Sequence, residues 1–461
     1  MNHNIFLITI DTLRKDHCSC YGYKRKITPF LDSLANDGIY FKNTFSNGPL
    51  TPRSFPSILG SIRPFDYKEH NLKSFYFPEK AFSIAEIFKA KGYTTVAFQA
   101  GNPFISKYYG YDKGFDFYFD YLFDLKQYKS IKIKNLFKKI KILIQRYPIL
   151  FRFGKRFNSF IEFFIRLNQI NNNDYPFISS DRLNNDVINW LKDVKNNKPI
   201  FMWIHYMDVH HPQFPKDYIT KELGIKKYSN IQLAKFWADI NNRNIKNKKQ
   251  ILNIVDLYDS EIMFLDSEIE KLFNRFKQLG YNKNNSTFII TSDHGEEFGE
   301  HGGLGHEMKL YNEMLMVPYI LHGKGIDNIS HMENSLIELI NTKEIILSII
   351  SNKKCKVKNR YIFAESLIPS NRLIEYCRLI TIQDLKYKLI YNTDNKLKHE
   401  FYNLNLDKNE QMNLINCMKY YKIIQELKIE VEKYIQMRPL FQNDHIDIRK
   451  TIKNMTFSKK I

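Results

Sequence analysis

The chain has 461 residues, 43% of them hydrophobic, enough to bury a large core in two domains or in one large domain with an appendage. No run of about 18 apolar residues occurs, which excludes an evident membrane-spanning helix. The five cysteines, odd in number and without zinc-type spacing, argue against a disulfide framework and fit a reducing compartment; the net charge of +20 is spread through a chain rich in Lys, Asn and Ile and reads as background.

In chain order, Ile5-Phe6-Leu7-Ile8-Thr9-Ile10 is too short for the apolar region of a signal peptide and ends in Asp11. It reads as a first buried strand, and the expected compartment is the cytoplasm. Pro29–Ala35 has helical spacing and Tyr40–Phe45 is strand-like. A helix over Ser83–Lys91 leads through Gly92 to a strand at Thr94–Phe98, and Pro199–His205 is a continuous apolar run suited to a central strand. Ile251–Leu279 predicts a long amphipathic helix closed by Gly280, followed by a strand ending at Asp293 and another at Val317–Leu321. Alternating strands and helices predict a mostly parallel sheet flanked by helices. Beyond about residue 350, short strands at Tyr361–Ala364, Arg378–Thr381 and Tyr387–Tyr391 predict a small antiparallel sheet, with a helix near Lys419–Met437 and a basic tail. The expected division is 1–345 and 346–461, with an insertion at about 122–170.

Residues 126–156 carry eleven Lys or Arg among Ile, Leu, Phe and Tyr, with no acid. Such a basic amphipathic segment either lies on an anionic membrane or glycan, or packs its apolar side on its own domain. Nucleic acid is not expected as a partner, since no recognisable module is present.

The richest stretch for chemistry is Thr291-Ser292-Asp293-His294-Gly295-Glu296 through His301 and His306. It follows a β-prone segment, so the Asp-His pair falls at a strand end, where open α/β sheets bind ligands. Asp11, Asp293 and His294 offer hard oxygens and an imidazole nitrogen, a set suited to one divalent ion (Mn, Zn, Ca or Mg). Thr51, before Pro52 and an apolar run, is placed either as a helix cap or as a nucleophile at a helix start, where free N–H groups favour negative charge; Ser54 competes for the latter role. His210 and His306 are candidates to protonate a leaving group, and Arg53 or Arg14 to bind an ester oxygen.

These segments together resemble the sulfatase branch of the alkaline phosphatase superfamily. Ile8–His17 looks like the family's first metal strand, Asn47–Gly60 like its nucleophile loop, Trp203–Pro212 like its substrate-side histidine strand, and Ser292–His306 with Leu310–Glu313 and Val317-Pro318 like its second metal motif. Glu400–Leu404 with Glu410 and Asn413-Leu414 is similar to its closing segment. The resemblance implies an alkaline phosphatase-like α/β fold, with Asp11, Thr51, Asp293 and His294 around the metal and Thr51, His210, His306 and Arg53 in catalysis. It places Arg14, Asn102, Asp208 and His205 toward the substrate, an anionic ester. A second metal, held by Asp208 with His210 or His306, is the alternative to one.

Three departures from the family shape the expectation. Sulfatases that oxidise a Cys or Ser to formylglycine have that residue where this chain has Thr51, and threonine would give a ketone. Thr12 stands where many carry another Asp, and Gly101-Asn102-Pro103 replaces a Gly-Lys-Trp-His segment. Thr51 acting directly looks like lipoteichoic acid synthases and phosphoethanolamine transferases. Phosphoester or phosphotransfer chemistry on an anionic glycan or lipid-linked substrate is therefore the first expectation, sulfate ester hydrolysis the second, and an inactive relative that binds anionic glycans or membrane the third.

Overall fold

The structure is a computed structural model that describes residues 3–66, 75–122, 167, 176–194, 198–241, 247–369, 376–394 and 398–437. The basic segment 126–156 and the basic tail lie outside the described residues.

The strands of the larger part are β1 (Asn4–Ile10), β2 (Ile39–Tyr40), β3 (Asn43–Phe45), β4 (Thr94–Gln99), β5 (Phe117–Phe119), β6 (Ile200–Tyr206), β7 (Ser286–Ser292), β8 (Glu297–Phe298), β9 (Leu304–Gly305) and β10 (Tyr319–Gly323). Seven form one sheet in the order β2-β10-β7-β1-β6-β4-β5. Strands β7, β1, β6, β4 and β5 are parallel, and β10 runs antiparallel to both β7 and β2. Strand β1 is buried at every residue, as a strand with both faces covered must be. One face packs on the helices Ser180–Asp193 and Lys248–Gln278, the other on Thr51–Gly60, Ile84–Ala90 and Thr342–Ile350.

Lys248–Gln278 begins three residues before the predicted Ile251, because Asn247 caps it by accepting from Gln250 N at 3.0 Å, and Gly280 at φ 89° ends it. The single strand expected over Tyr40–Phe45 is two. Phe41 N donates to Tyr319 O and Lys42 N to Glu333 O, so β2 joins the large sheet while β3 pairs in parallel with β11 (Leu336–Glu338).

Strands β12 (Ile362–Pro369), β13 (Tyr376–Gln383), β14 (Tyr387–Asn392) and β15 (Glu400–Asn403) form the expected antiparallel sheet. The helix Tyr421–Gln436 covers it, burying Ile424, Leu427 and Val431 against Ile380, Ile382, Leu389 and Phe401. Among the described residues no helix is long and apolar enough to cross a membrane.

Candidate active site

Several chain segments leave the sheet at its carboxyl edge and converge, the position at which open α/β sheets place ligands. Asp11 follows β1, Asn102 follows β4, His210 and His211 follow β6, and Asp293 and His294 follow β7. Thr51 is the first residue of the helix Thr51–Gly60, with Leu50 as its cap and no side-chain capping bond. Its hydroxyl therefore does not cap the helix. Oγ1 lies 3.4 Å from Asp11 Oδ2 and 3.3 Å from His294 Nε2. Ser54 sends its hydroxyl to Thr51 O at 3.3 Å, away from that cluster.

Asp11 is held from several sides. Asn102 Nδ2 donates to its Oδ2 at 3.0 Å, and His205 Nε2 lies 3.4 Å from the same oxygen. His205 is oriented in turn by Thr9 Oγ1 at 3.0 Å, which also accepts from Trp203 Nε1 at 2.9 Å. Asp293 Oδ1 accepts from Thr12 N and His294 N. Thr12 adopts φ 59°, a left-handed conformation uncommon for a β-branched residue, and so aims its N–H at that oxygen.

Burial works against the Asp11 carboxylate, yet the His205 bond and the surrounding histidines outweigh it and hold Asp11 below the usual carboxylate range. Burial, then the neighbouring Asp11, push Asp293 up to about 8. His294 is lowered to about 4 by burial and by His306. Asp11 Oδ1 and Asp293 Oδ2 are buried without hydrogen-bond partners, and the ligand atoms of Asp11, Asp293 and His294 lie within 4.8 Å of one another. Nδ1 of His294 faces Gly295 O at 2.9 Å, so Nδ1 carries the proton and the Nε2 lone pair faces Thr51. Two orphaned carboxylate oxygens, an imidazole lone pair and a hydroxyl oxygen meeting at one point fit a divalent cation, which would relieve the repulsion between the acids.

A second group lies beside the first. The ring of His306 is 5.0 Å from that of His294, 4.9 Å from His210 and 5.4 Å from His211. Glu296 sits between His211 and His306, with carboxylate-to-nitrogen distances of 3.6 and 3.5 Å. Although burial opposes its charge, Glu296 raises His306 to about 9. His210 is lowered to about 3 by burial and by His211. Glu296 thus favours the imidazolium form of His306, and burial favours the neutral ring of His210. His211 and Glu296 are absent from the sequence-derived set; the adjacent His210-His211-Pro212 and the acid two residues after His294 are the signals that mark them.

Other expected residues face elsewhere. Asp208 turns from the histidines: Oδ1 accepts from Ser180 N and Oγ at 3.0 and 2.9 Å, at the start of the helix Ser180–Asp193. The nitrogens of His210 and His306 are instead grouped with His211. Arg14 is held by Asp16 and Glu300, each at 2.6 Å, and by Glu296 O, so its guanidinium braces a loop. Arg53 lies with its guanidinium 4.4 Å over the ring of Phe65, and burial lowers it to about 10. His205 lies beneath Asp11 within the sheet, fully buried.

The family model described as Sulfatase matches residues 3–343. The chain is 24% identical over 344 residues to a protein of Escherichia coli (strain K12) named uncharacterized sulfatase YidJ, covering 69% of this chain and 62% of that one. It is 25% identical over 344 residues to iduronate 2-sulfatase of Homo sapiens, covering 65% and 56%. The match thus spans about three fifths of the length of these relatives. Among solved structures, the phosphonate monoester hydrolase of Agrobacterium radiobacter superposes with a TM-score of 0.64 at 13% identity, covering 96% of this chain and 97% of that one. The C-terminal periplasmic domain of EcEptC from Escherichia coli, solved as a complex with Zn, gives 0.52 at 15% identity, covering 78% and 89%. At these identities the two structures establish a shared fold.

Proposed function

Because the chain belongs to the sulfatase family, we propose that it is a metal-dependent ester hydrolase or transferase in which Thr51 itself is the nucleophile, and that its substrate is a phosphoester. The observation that carries this reading is the Thr51 hydroxyl at a helix start, 3.4 Å from Asp11 and 3.3 Å from His294. Asp11, Thr51, Asp293 and His294 would hold one divalent ion. When bound there, such an ion supplies Lewis acidity toward the Thr51 hydroxyl and the ester oxygens.

The residues of the chain divide the remaining work. The Thr51 hydroxyl releases its proton to water, Oγ1 attacks phosphorus, the bond to the leaving oxygen breaks, and a phosphothreonine ester forms at position 51. Free N–H groups at the start of the helix Thr51–Gly60 face the negative charge of the ester. His306, kept protonated by Glu296, donates its proton to the departing alkoxide, while neutral His210 accepts a hydrogen bond from the substrate or from the entering hydroxyl. Water, or an acceptor alcohol, then passes its proton to His306, now neutral, and attacks the phosphothreonine; the bond from phosphorus to Thr51 Oγ1 breaks, and Oγ1 regains a proton from water. Asn102 and His205 keep Asp11 ionised and aimed. Anionic glycan or lipid-linked esters are the substrate class favoured by the reading of residues 126–156.

Sulfate ester hydrolysis is the second reading, favoured by the names of the relatives in sequence. A side-by-side assay with aryl phosphate, phosphodiester and sulfate esters, with and without Mn²⁺ or Zn²⁺, separates the two. Phosphoester turnover that needs metal, with a phosphate label retained on Thr51 after acid quench, is the expected outcome. Turnover of sulfate alone would replace it with the second reading, and no turnover with metal bound would leave an inactive binding protein.

A further inference from the structure

Directly after Asn102, the residue that bonds Asp11, the chain puts a set of aromatic rings on the surface. Phe104 is 39% exposed, Tyr108 67% and Tyr76 43%, each far above what a packed aromatic shows. With Phe75 and Tyr109 they form one connected cluster of edge-to-face contacts. Ring centroids are 5.0 Å apart for Phe75 and Phe104, 5.9 Å for Phe75 and Tyr109, 5.1 Å for Tyr76 and Tyr109, and 4.9 Å for Tyr108 and Tyr109. The two segments are tied by Phe77 N donating to Tyr109 O at 2.8 Å. Asn102 Oδ1 also accepts from Phe104 N at 3.0 Å, so one side chain anchors both Asp11 and the first exposed ring. The turn Pro103–Ile105 packs on the helix that Thr51 begins.

An exposed patch of connected aromatic rings on a protein surface marks a contact site more often than a solvated face. Its composition selects the occupant. The rings are Phe and Tyr with no aliphatic residue among them, and Tyr76 and Tyr108, their ring centroids 5.9 Å apart, each carry a hydroxyl at the ring edge, so apolar faces alternate with polar edges. A sugar ring offers the matching pair, C–H faces and a hydroxyl rim, whereas an acyl chain offers only the first. Tyrosine gives such contacts a rigid, amphipathic area at low entropic cost. We infer that Phe104, Tyr76 and Tyr108 form a sugar-stacking subsite for a glycan whose ester group lies at Thr51. This rests on the reading of Thr51 given above and adds the carrier of the ester.

The test uses the full chain loaded with Mn²⁺, with binding of sulfated and phosphorylated hexasaccharides on a glycan array as one readout and aryl ester turnover as the other. Wild type is expected to retain at least one hexasaccharide. The Tyr76→Ala/Tyr108→Ala variant should weaken that binding about tenfold and raise KM for the same hexasaccharide more than kcat falls, the size expected for two lost ring contacts. Tyr108→Phe, which keeps the ring, should retain most of the binding, and a thermal melt identifies any variant that fails to fold. An active wild type that retains no hexasaccharide overturns the subsite, as does undiminished binding in the double alanine variant. Binding to phosphatidylcholine/phosphatidylglycerol vesicles that is lost with the two tyrosines, in place of glycan binding, overturns it too. Absence of aryl ester turnover in wild type counts against the Thr51 reading instead.

Discussion

At the scale of single residues, Thr51 carries the most chemical information. Thr51→Ala removes the hydroxyl that approaches Asp11 and His294, and turnover of an aryl phosphate should fall at least about 10,000-fold, the upper end of what loss of a single general acid or base costs. Thr51→Ser keeps the hydroxyl and should retain measurable turnover; equal activity in wild type and Thr51→Ala would remove Thr51 from the reaction. Asn102 tests a quieter role. Its amide bonds the carboxylate of Asp11, so Asn102→Ala should weaken Mn²⁺ binding by about 10–100-fold, the usual effect of losing an outer partner of a metal ligand. Calorimetric titration measures it, and unchanged affinity would return Asn102 to the substrate side. That Asp11, Asp293 and His294 meet was legible because Asp11 and Asp293 directly follow strands and His294 comes one residue later, and the end of a strand fixes where its next residues go. The contacts of Arg14 and Asp208 were not legible. Their side chains are taken by Glu300, distant in sequence, and by the helix at Ser180, partners that only the folded chain brings near.

At the scale of elements, the loop that carries His306 is pinned to the C-terminal sheet. The His301 ring stacks on Tyr311 at 3.5 Å, with Nδ1 2.6 Å from Glu313 Oε1 and Nε2 2.9 Å from Glu410 O. Both ring nitrogens face acceptors, an arrangement that favours the imidazolium. Burial opposes that charge, but Glu313 raises His301 above its ordinary value. Glu297, His301 and Glu313 have ligand atoms close enough to suggest a metal. Glu297, however, already accepts from Lys309, His301 N and Gly303 N, which makes the group a structural latch. Glu410 closes the latch: it accepts from Asn312 N at 2.7 Å and pairs with Lys388 at 2.6 Å, both side chains fully buried. Lys388→Met leaves a carboxylate buried without its cation and should cost about 3–5 kcal/mol in urea unfolding. Adding Glu410→Leu should recover part of that loss, since a buried pair replaced by apolar groups is often neutral. Equal stability of wild type and Lys388→Met would show that the pair does not hold the sheet to the loop. The sequence marks the strands and the helix of this region by their alternation, but it does not show that Glu410 reaches back to residue 312.

At the scale of the whole molecule, buried acids outside the candidate site, three of them strongly shifted, make stability respond to pH. Burial raises Asp208 to about 6, Asp266 to about 7 and Glu261 to about 8, the last also because Asp208 is near and despite Lys216. Asp266 accepts from Phe30 N and Leu31 N at the start of the helix Pro29–Asn36, and Oε1 of Glu261 is buried without a partner. None of this is visible in the sequence, where Glu261 falls on a long amphipathic helix as an ordinary polar residue; only the packing of Phe214 and the loop after β6 over that helix encloses it. The sign follows from proton counting. An acid whose folded pKa exceeds its unfolded value binds more protons in the native state across the window between the two, so its contribution is present below the unfolded value and is lost as pH rises through the folded one. Stability should therefore decline from about pH 5 to about pH 8, as the three acids ionise inside the fold. Glu261→Gln keeps the shape and cannot ionise. Its melting temperature should lie close to that of wild type near pH 5 and several degrees above it near pH 8, measured without added metal so that the ligands of the candidate site do not contribute a binding term. Parallel melting curves for the two proteins across that range would show that Glu261 is not the group that titrates.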